Sequence, residues 1–443
     1  MHQLLFEHAI TKFNHSPLDV LKVYNEYKYS KLDNLDAIKG HFPMKPHLAS
    51  VNTLSLDPLY NRYLFSGGGE SSIKLWDIKQ QDEVEELEPI YTLPSKSLHK
   101  FGITHIKWWS DNGLWLSSSF DHTLSVSDAN EMQHVHSFNL GSRVLYFDFE
   151  DHGRNSLVAV CADGGIGGLR LLDLRTLADA HTLGGGGKLQ GGFGYMLSCR
   201  WSPANPNLVV GGSQDGYCIG WDIRRADGCI FKMDYNLTTT NYKTNTRQLL
   251  LHETTPKAHN GGINSLLFTD DGAELITLGH DDKICVWDMT SAEKPLNKQV
   301  NFGPLVRNKS TQHISMALSP TNETELQYLW FPSENGEILI FRLDDGKLVA
   351  RLTKNGSALN RRTTSIVYAK DSSIKYYSGC KDGTISVWGY NSLLDSQIAR
   401  DGLDFDSGNP GTLAGETERS DVLDRIHDEI EANRIRAKNT EFR

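Results

Sequence analysis

His259, Thr277, Asp281 and Trp287 put an imidazole, a hydroxyl, a carboxylate and an indole N–H within one short stretch of chain. An acid that orients a histidine against a hydroxyl is how many hydrolases make a nucleophile. The same residue types return at matching offsets, however. His47 precedes Trp76 and His99 precedes Asp121, while Asp121, Asp215, Asp281 and Asp382 each stand six residues before a common register position. That position carries Trp221, Trp287 and Trp388 in the last three of these copies and Ser127 in the first. A catalytic set is needed once; a polar set recurring at a fixed interval belongs to the architecture, so no catalytic residue is expected. The other chemistry-bearing groups lead to the same conclusion. His280-Asp281-Asp282 is the nearest approach to a metal cluster, but adjacent residues on a tight turn point apart, and no metal is expected there. The tetraglycine Gly184 to Gly187 lacks the Lys-Ser or Lys-Thr and helix start of a phosphate loop. Cys161, Cys199, Cys218, Cys229, Cys285 and Cys380 show no paired short spacing, and they read as small core residues of a reducing compartment. No cofactor and no small-molecule ligand are implied.

The elements that must hold such a recurring set are short strands. After His259 come the apolar run INSLLF, the turn TDDG, the run ELITLG, the turn at Asp281 and the run KICVWD. The order repeats from His47 through VNTLSLDP and YLFSGGG to SIKLWD, and from His99 through ITHIKWWSDNG and WLSSSF to TLSVSD. In register, the terminal position reads Trp76, Ser127, Leu172, Trp221, Trp287, Phe341 and Trp388, which makes seven copies. Their spacing approximates the roughly 40 to 45 residues of a four-stranded propeller blade, with loop insertions supplying the excess. The pattern resembles that of WD-repeat proteins, which implies that the Asp orients a His that bonds a Ser or Thr and through it the Trp. The fourth copy has Gly191 and Gly192 where Gly-His would stand, and ADGGIGGLRLLD and ENGEILIFRL make the third and sixth degenerate. The expected fold is all-β: a seven-bladed propeller over 35–390, preceded by a helical segment over 1–34 and followed by a flexible tail over 391–443.

A ring of sheets must hide its two open edges, and the stretch from Leu35 to Phe42, LDAIKGHF, is expected to complete the last blade. Ahead of it, Leu4, Leu5, Ala9, Ile10 and Phe13 predict one short helix. Ser16-Pro17 opens a second whose apolar face carries Leu18, Val20, Leu21, Tyr24 and Tyr27. These helices suit either packing on the propeller or docking in a partner's groove. The segment from Asp234 to Pro256 is long for a loop. In the Gly- and Asp-rich tail only Leu423, Ile426 and Ile430 suggest a helix.

Composition excludes several classes. The 443 residues are 39% hydrophobic and 23% charged, as in a soluble protein, and the net charge of −10 argues against broad phosphate binding. The N-terminal MHQLLFEHAITKF lacks the pattern of a secretion signal, and no window offers the roughly 18 apolar residues of a membrane span.

The wording of individual blades goes further. VNTLSLDPLYNRYLFSGGGESSIKLWDI, WLSSSFDHTLSVSD, WSPANPNLVVGGSQDGYCIGWDIRRADGCI and KAHNGGINSLLFTDDGAELITLGHDDKICVWD resemble the Cockayne syndrome group A family and its fungal members, well through five blades and loosely through the last two. The resemblance implies a non-catalytic substrate receptor of a cullin-RING ubiquitin ligase in the nucleus, acting in transcription-coupled nucleotide excision repair. The implied partners are the ligase's damaged-DNA-binding-protein adaptor, a Cockayne syndrome group B-type translocase and RNA polymerase II, with DNA touched only indirectly. The residues that match its adaptor-binding pattern are the helices, through Leu4, Leu5, Phe6, Ile10, Phe13, Leu18, Leu21 and Tyr24, and Trp221-Asp222-Ile223-Arg224, which fits Trp-Asp-any-Arg. Leu172-Asp173-Leu174-Arg175 is a degenerate second copy. The alternative is a scaffold subunit of a chromatin or RNA-processing complex with no ligase link.

Overall fold

The computed structural model describes residues 17–29, 31–35, 41–82, 84–164, 168–183, 194–225, 229–238, 256–291, 294–353, 362–370 and 374–390. The first expected helix, the tetraglycine, most of the long loop after Asp234 and the tail all lie outside these residues.

Seven four-stranded antiparallel sheets follow one another along the chain. Their inner strands begin at Val51, Ile103, Arg143, Met196, Ile263, Ala317 and Thr363. In six sheets the four strands are consecutive in sequence; the seventh runs Thr363–Tyr368, Tyr376–Cys380, Ile385–Tyr390 and then takes its outer strand from the N-terminal side, at Leu32–Asn34 (β1). There Leu32 pairs with Tyr390 and Asn34 with Trp388. This corrects the expected closing segment, since the strand lies just ahead of Leu35–Phe42. Only Leu35 of that stretch extends the pairing, its N–H donating to the Val387 carbonyl at 2.8 Å. The cause is local: the preceding helix α1, Pro17–Tyr29, is pinned to the propeller at its last residue, so the chain reaches the open edge at once.

Burial follows from having a sheet on either side. Second strands such as Leu208–Ser213 are buried at every position, which is why they read as near-continuous apolar and small residues instead of alternating. Seven apolar clusters occur among the described residues, one between each pair of neighbouring blades. Near the axis the inner strand of the next blade comes so close that only small residues fit. A Cβ at Gly212 would lie 2.7 Å from Ile263 Cγ2, and one at Gly379 2.7 Å from Val51 Cγ1, the latter across the ring closure.

The first-to-second strand ladder carries the same irregularity in six blades. Register slips between Val51 and Thr53, Ile103 and His105, Val144 and Tyr146, Met196 and Ser198, Ile263 and Ser265, and Thr363 and Ser365. Each slip leaves one residue unpaired and turns its side chain out of the pleat. In the sixth blade the inner strand is only Ala317–Leu318 and shows no such slip.

Candidate functional site

The recurring polar residues form buried chains in three blades. In the fifth, His259 Nδ1 donates to Asp281 at 2.9 Å, its Nε2 meets Thr277 Oγ1 at 2.7 Å, and Trp287 Nε1 donates to that same oxygen at 3.0 Å. In the second, His99 bonds Asp121 at 3.2 Å and Ser117 at 2.8 Å. There the chain stops: Ser127 stands in the tryptophan position, and its hydroxyl has no hydrogen-bond partner among the described residues. The first blade holds a member that the sequence reading missed. His47 Nδ1 bonds Glu70 at 2.9 Å, Nε2 bonds Ser66 at 2.8 Å, and Trp76 Nε1 donates to Ser66 at 2.9 Å. Glu70 occupies the register of the aspartates, six residues before Trp76, so counting by position instead of by residue type would have found it.

The remaining expected members divide. In the seventh blade Trp388 Nε1 donates to Ser378 Oγ at 2.7 Å, and Asp382 accepts from Thr384 Oγ1 at 2.7 Å; the position where a His would stand is outside the described residues. Asp215 is a correction. It is exposed and makes no polar-chain contact among the described residues, because the register position that holds Ser66 or Thr277 elsewhere is Gly211, whose Cβ would sit 2.9 Å from Trp221. With no hydroxyl to organise, the fourth blade packs the Trp221 ring on backbone instead. Asp281 and Asp282 diverge as the turn predicts: Asp281 faces His259, while Asp282 accepts from Asn308 N at 2.6 Å. No grouping of three metal-ligating side chains occurs among the described residues.

Charge makes these chains pH-dependent. Burial works against a charged His259, but the Asp281 carboxylate and the Cys285 thiol outweigh it and raise the imidazole from 6.5 to about 9. A histidine raised in the folded state stabilises fully below 6.5, and that stabilisation is lost as pH climbs through 9. Burial alone would raise Glu70, yet His47, Ser72 and the Ala49 N–H take it down from 4.5 to about 2. Its stabilisation is complete above 4.5 and is lost as pH falls toward 2. The expected result is a thermal midpoint that declines from pH 6.5 to 9, with the decline abolished in Asp281→Asn. Scanning fluorimetry across that range checks it, and an unaltered slope in the variant would remove His259–Asp281 as the source.

Helix α1 supplies a different kind of site. Asn25 and Tyr29 are buried: Asn25 Nδ2 donates to the Glu323 carbonyl at 2.9 Å, and the Tyr29 ring stacks on Tyr328 at 4.6 Å between centroids. Among the described side chains, those of the apolar face named in the sequence are not the buried ones. Leu21, Val23 and Tyr27 are 46%, 48% and 45% exposed, and Tyr24 lies half-buried under the Lys28 ammonium. Leu4, Leu5, Phe6, Ile10 and Phe13 fall outside the described residues, as does the Leu18 side chain. The helix lies where second strands begin, at Tyr328 and Tyr376, and Arg224 follows the end of a third strand, so both share one face of the ring. Arg224 is spread on its own Asp222, with Nε to Oδ1 at 3.0 Å and Nη2 to Oδ2 at 2.7 Å, its side chain 67% exposed.

The opposite face holds a funnel of about 810 Å3 at the mouth of the central channel. All seven blades contribute to its wall, and five of the six slipped residues line it: Asn52, Thr104, Leu145, Leu197 and Thr364. Nothing in the sequence singled these out.

Comparison with known proteins agrees with the architecture. The family model of the WD domain, G-beta repeat, matches residues 38–77, 87–128 and 251–288, covering the first, second and fifth blades. The chain is 24% identical to the WD repeat-containing protein ATCSA-1 of Arabidopsis thaliana over 87% of its own length and 95% of the plant protein. It is 26% identical to the radiation-sensitive protein 28 of Saccharomyces cerevisiae over 67% of its length, a match spanning 62% of the yeast protein. A shorter region, 26% of the chain and 20% of the relative, is 29% identical to the DDB1- and CUL4-associated factor 13 of Dictyostelium discoideum. With seven blades, recurring His–Ser/Thr–Trp chains and relatives aligned along most of its length, the chain is a seven-bladed propeller carrying WD repeats, similar to the plant ATCSA-1 and yeast radiation-sensitive protein 28.

Proposed function

We propose that this propeller is a non-catalytic substrate receptor of a cullin-RING ubiquitin ligase, joined to the ligase through helix α1 and serving DNA repair in the nucleus. The observation that carries the reading is the orientation of α1, which buries Asn25 and Tyr29 and leaves Leu21, Val23 and Tyr27 facing outward. Val23 and Tyr27, four residues apart, form an exposed ridge on an anchored helix, with Leu21 exposed on another side, and such a helix is a preformed docking element because the ordering cost has been met before the partner arrives. The name of the Dictyostelium relative records association with DDB1 and CUL4, and those of the plant and yeast relatives point to the Cockayne syndrome group A family and to radiation sensitivity. Arg224, on the same face, offers a planar donor fork that can exchange Asp222 for a partner carboxylate or carbonyl. The mechanism is proximity: the ligase brings a charged conjugating enzyme close to a client held by the propeller, and no residue here performs chemistry. In transcription-coupled repair the partners are a Cockayne syndrome group B-type translocase and stalled RNA polymerase II. With a net charge of −10, contact with DNA is indirect.

Capture of the purified triple-propeller adaptor by the full chain tests this. Leu21→Asp combined with Tyr27→Asp should weaken capture by about tenfold or more, the scale of losing one interface anchor. The thermal midpoint should be unchanged, since both side chains are nearly half exposed. Arg224→Ala should weaken capture by less. Undiminished capture by the double variant would remove α1 as the docking element, and no capture by the wild-type chain would return it to a scaffold without a ligase link.

A further inference from the structure

The outer edge of the fifth blade stops short. Its fourth strand is only Leu296–Asn297, which pairs with Asp288 and Trp287 of the third strand, Ile284–Asp288, and the Lys298 N–H adds one bond to the Val286 carbonyl at 2.9 Å. There the chain turns off: Asn297 Oδ1 accepts from the Gln299 N–H at 2.8 Å, and Gln299 takes a left-handed φ of 56°. The alternation of an antiparallel ladder identifies what is left open. Lys283 bonds toward the second strand, its carbonyl accepting from the Gly279 N–H at 3.1 Å, and Val286 bonds outward, so Ile284 also turns its N–H and C=O outward. Neither group meets a hydrogen-bond partner among the described residues. In five other blades the residue at this place, three before the tryptophan register position, is covered. Ile73 is paired with Leu93, Leu124 with Phe138, Leu169 with Leu183 and Ile338 with Leu352, while the Cys218 carbonyl accepts from the Met233 N–H at 2.9 Å.

A slot of about 480 Å3 occupies the place of the missing strand, at the outer rim of the blade. One wall is the bare edge at Ile284 and Cys285, and the other is the chain beyond Gln299, with Val300, Phe302 and Val306. We propose that this slot takes an extended segment of a partner polypeptide as an added strand, with one large apolar side chain against Val300, Phe302 and Val306 and an acidic residue next to it at Lys283. An outward backbone donor and acceptor, in register with a sheet and without a neighbour, are what strand addition uses: the main chain gives affinity and alternate side chains give specificity. The side-chain preference follows from the pleat. Ile284 packs with Phe302 and Val306 in the cluster between the fifth and sixth blades, so a residue set opposite it would place its side chain on that apolar side. The residues flanking it would point to the other side. There Lys283 is exposed, its ammonium 4.9 Å from the centre of the Tyr235 ring, and it offers a charge for a carboxylate. The site needs no adaptor and does not depend on the ligase reading.

Hydrogen exchange of the full chain, resolved to single amides, tests the open edge. The Ile284 N–H should exchange at least about tenfold faster than those of Ile73 and Ile338, which face a fourth strand. Protection equal to theirs would mean that the chain covers its own edge, and would overturn the site. Linear random peptides displayed on phage are then panned against the full chain, and the most enriched is measured as a labelled synthetic peptide by fluorescence polarisation. Methylating its backbone nitrogens one at a time should weaken binding by about tenfold at alternate residues and much less between them, since only alternate N–H groups face the sheet. Lys283→Glu, at an exposed position, should weaken the peptide by about tenfold with the thermal midpoint and adaptor capture unchanged, and exchanging the peptide's acidic residue for Lys should restore binding to that variant. No enrichment, losses without alternation, or undiminished binding by Lys283→Glu would overturn the added strand.

Discussion

Trp287→Ala is expected to destabilise the propeller by about 3–5 kcal/mol, the largest loss for any single member of the polar chains. The ring is wholly buried in the cluster between the fourth and fifth blades, among Leu208, Val210, Phe231, Ile263, Leu266 and Leu275, so its removal opens a cavity that two sheets cannot both close. The indole also matters as a donor. Thr277→Val keeps the volume but leaves Trp287 Nε1 and His259 Nε2 facing a methyl, and each stranded group costs about 1–3 kcal/mol. Trp287→Phe should fall below both. Urea midpoints for the three variants give the order, and a midpoint unmoved by Trp287→Ala would mean that the indole is not core. The second blade shows that the chain is optional when volume comes from elsewhere. Ser127 holds the tryptophan position there, and the fully buried Trp115, tilted against Phe65 at 5.0 Å, fills the neighbouring interface.

What the sequence made legible was whatever repeats in register. The seven terminal positions and the His and Asp offsets are tied to strand length and turn geometry, so they survive where residue types drift. Glu70 shows the limit of reading by type: a carboxylate one methylene longer does the same work from the same position. Asp215 shows the converse, since a matching residue at the right offset does nothing when Gly211 has removed the hydroxyl that it would help to orient. The closing strand, Leu32–Asn34, lies a few residues ahead of the expected stretch because nearness to the first blade does not mark the point where the chain is anchored.

The functional surfaces were less legible, for a geometric reason. An amphipathic pattern shows that a helix has two faces but not which one is covered. In α1 the buried side is held by Asn25 and Tyr29, through polar and stacking contacts that a hydropathy stripe does not register. The funnel was invisible because its wall takes one slipped residue from each of several blades. Within any single strand Asn52, Thr104 or Leu197 reads as an ordinary position. Only the ladder register shows that it is turned toward the axis.

Tyr29→Ala should cost on the order of 3–5 kcal/mol, far more than any other substitution in the N-terminal segment. Tyr29 is fully buried beneath the junction of the sixth and seventh blades, stacked on Tyr328 and bonded oxygen to oxygen with Tyr376 at 2.7 Å. It also stands immediately before the closing strand β1, so its loss frees α1 and the edge that completes the seventh blade together. The hydroxyl pair gives a sharper form of the argument. Tyr29→Phe leaves the buried Tyr376 hydroxyl without that partner, and a stranded buried group costs about 1–3 kcal/mol; Tyr29→Phe with Tyr376→Phe removes both ends and should recover part of that loss. A double variant less stable than either single one would show that each hydroxyl is satisfied elsewhere. Because α1 presents Leu21 and Tyr27 only while it is held down, Tyr29→Ala should lower adaptor capture as well as the unfolding midpoint, whereas Leu21→Asp with Tyr27→Asp should lower capture alone. The two losses separate the latch from the docking face, and a Tyr29→Ala chain that captured adaptor as well as the wild type would mean that the helix binds without being anchored to the ring.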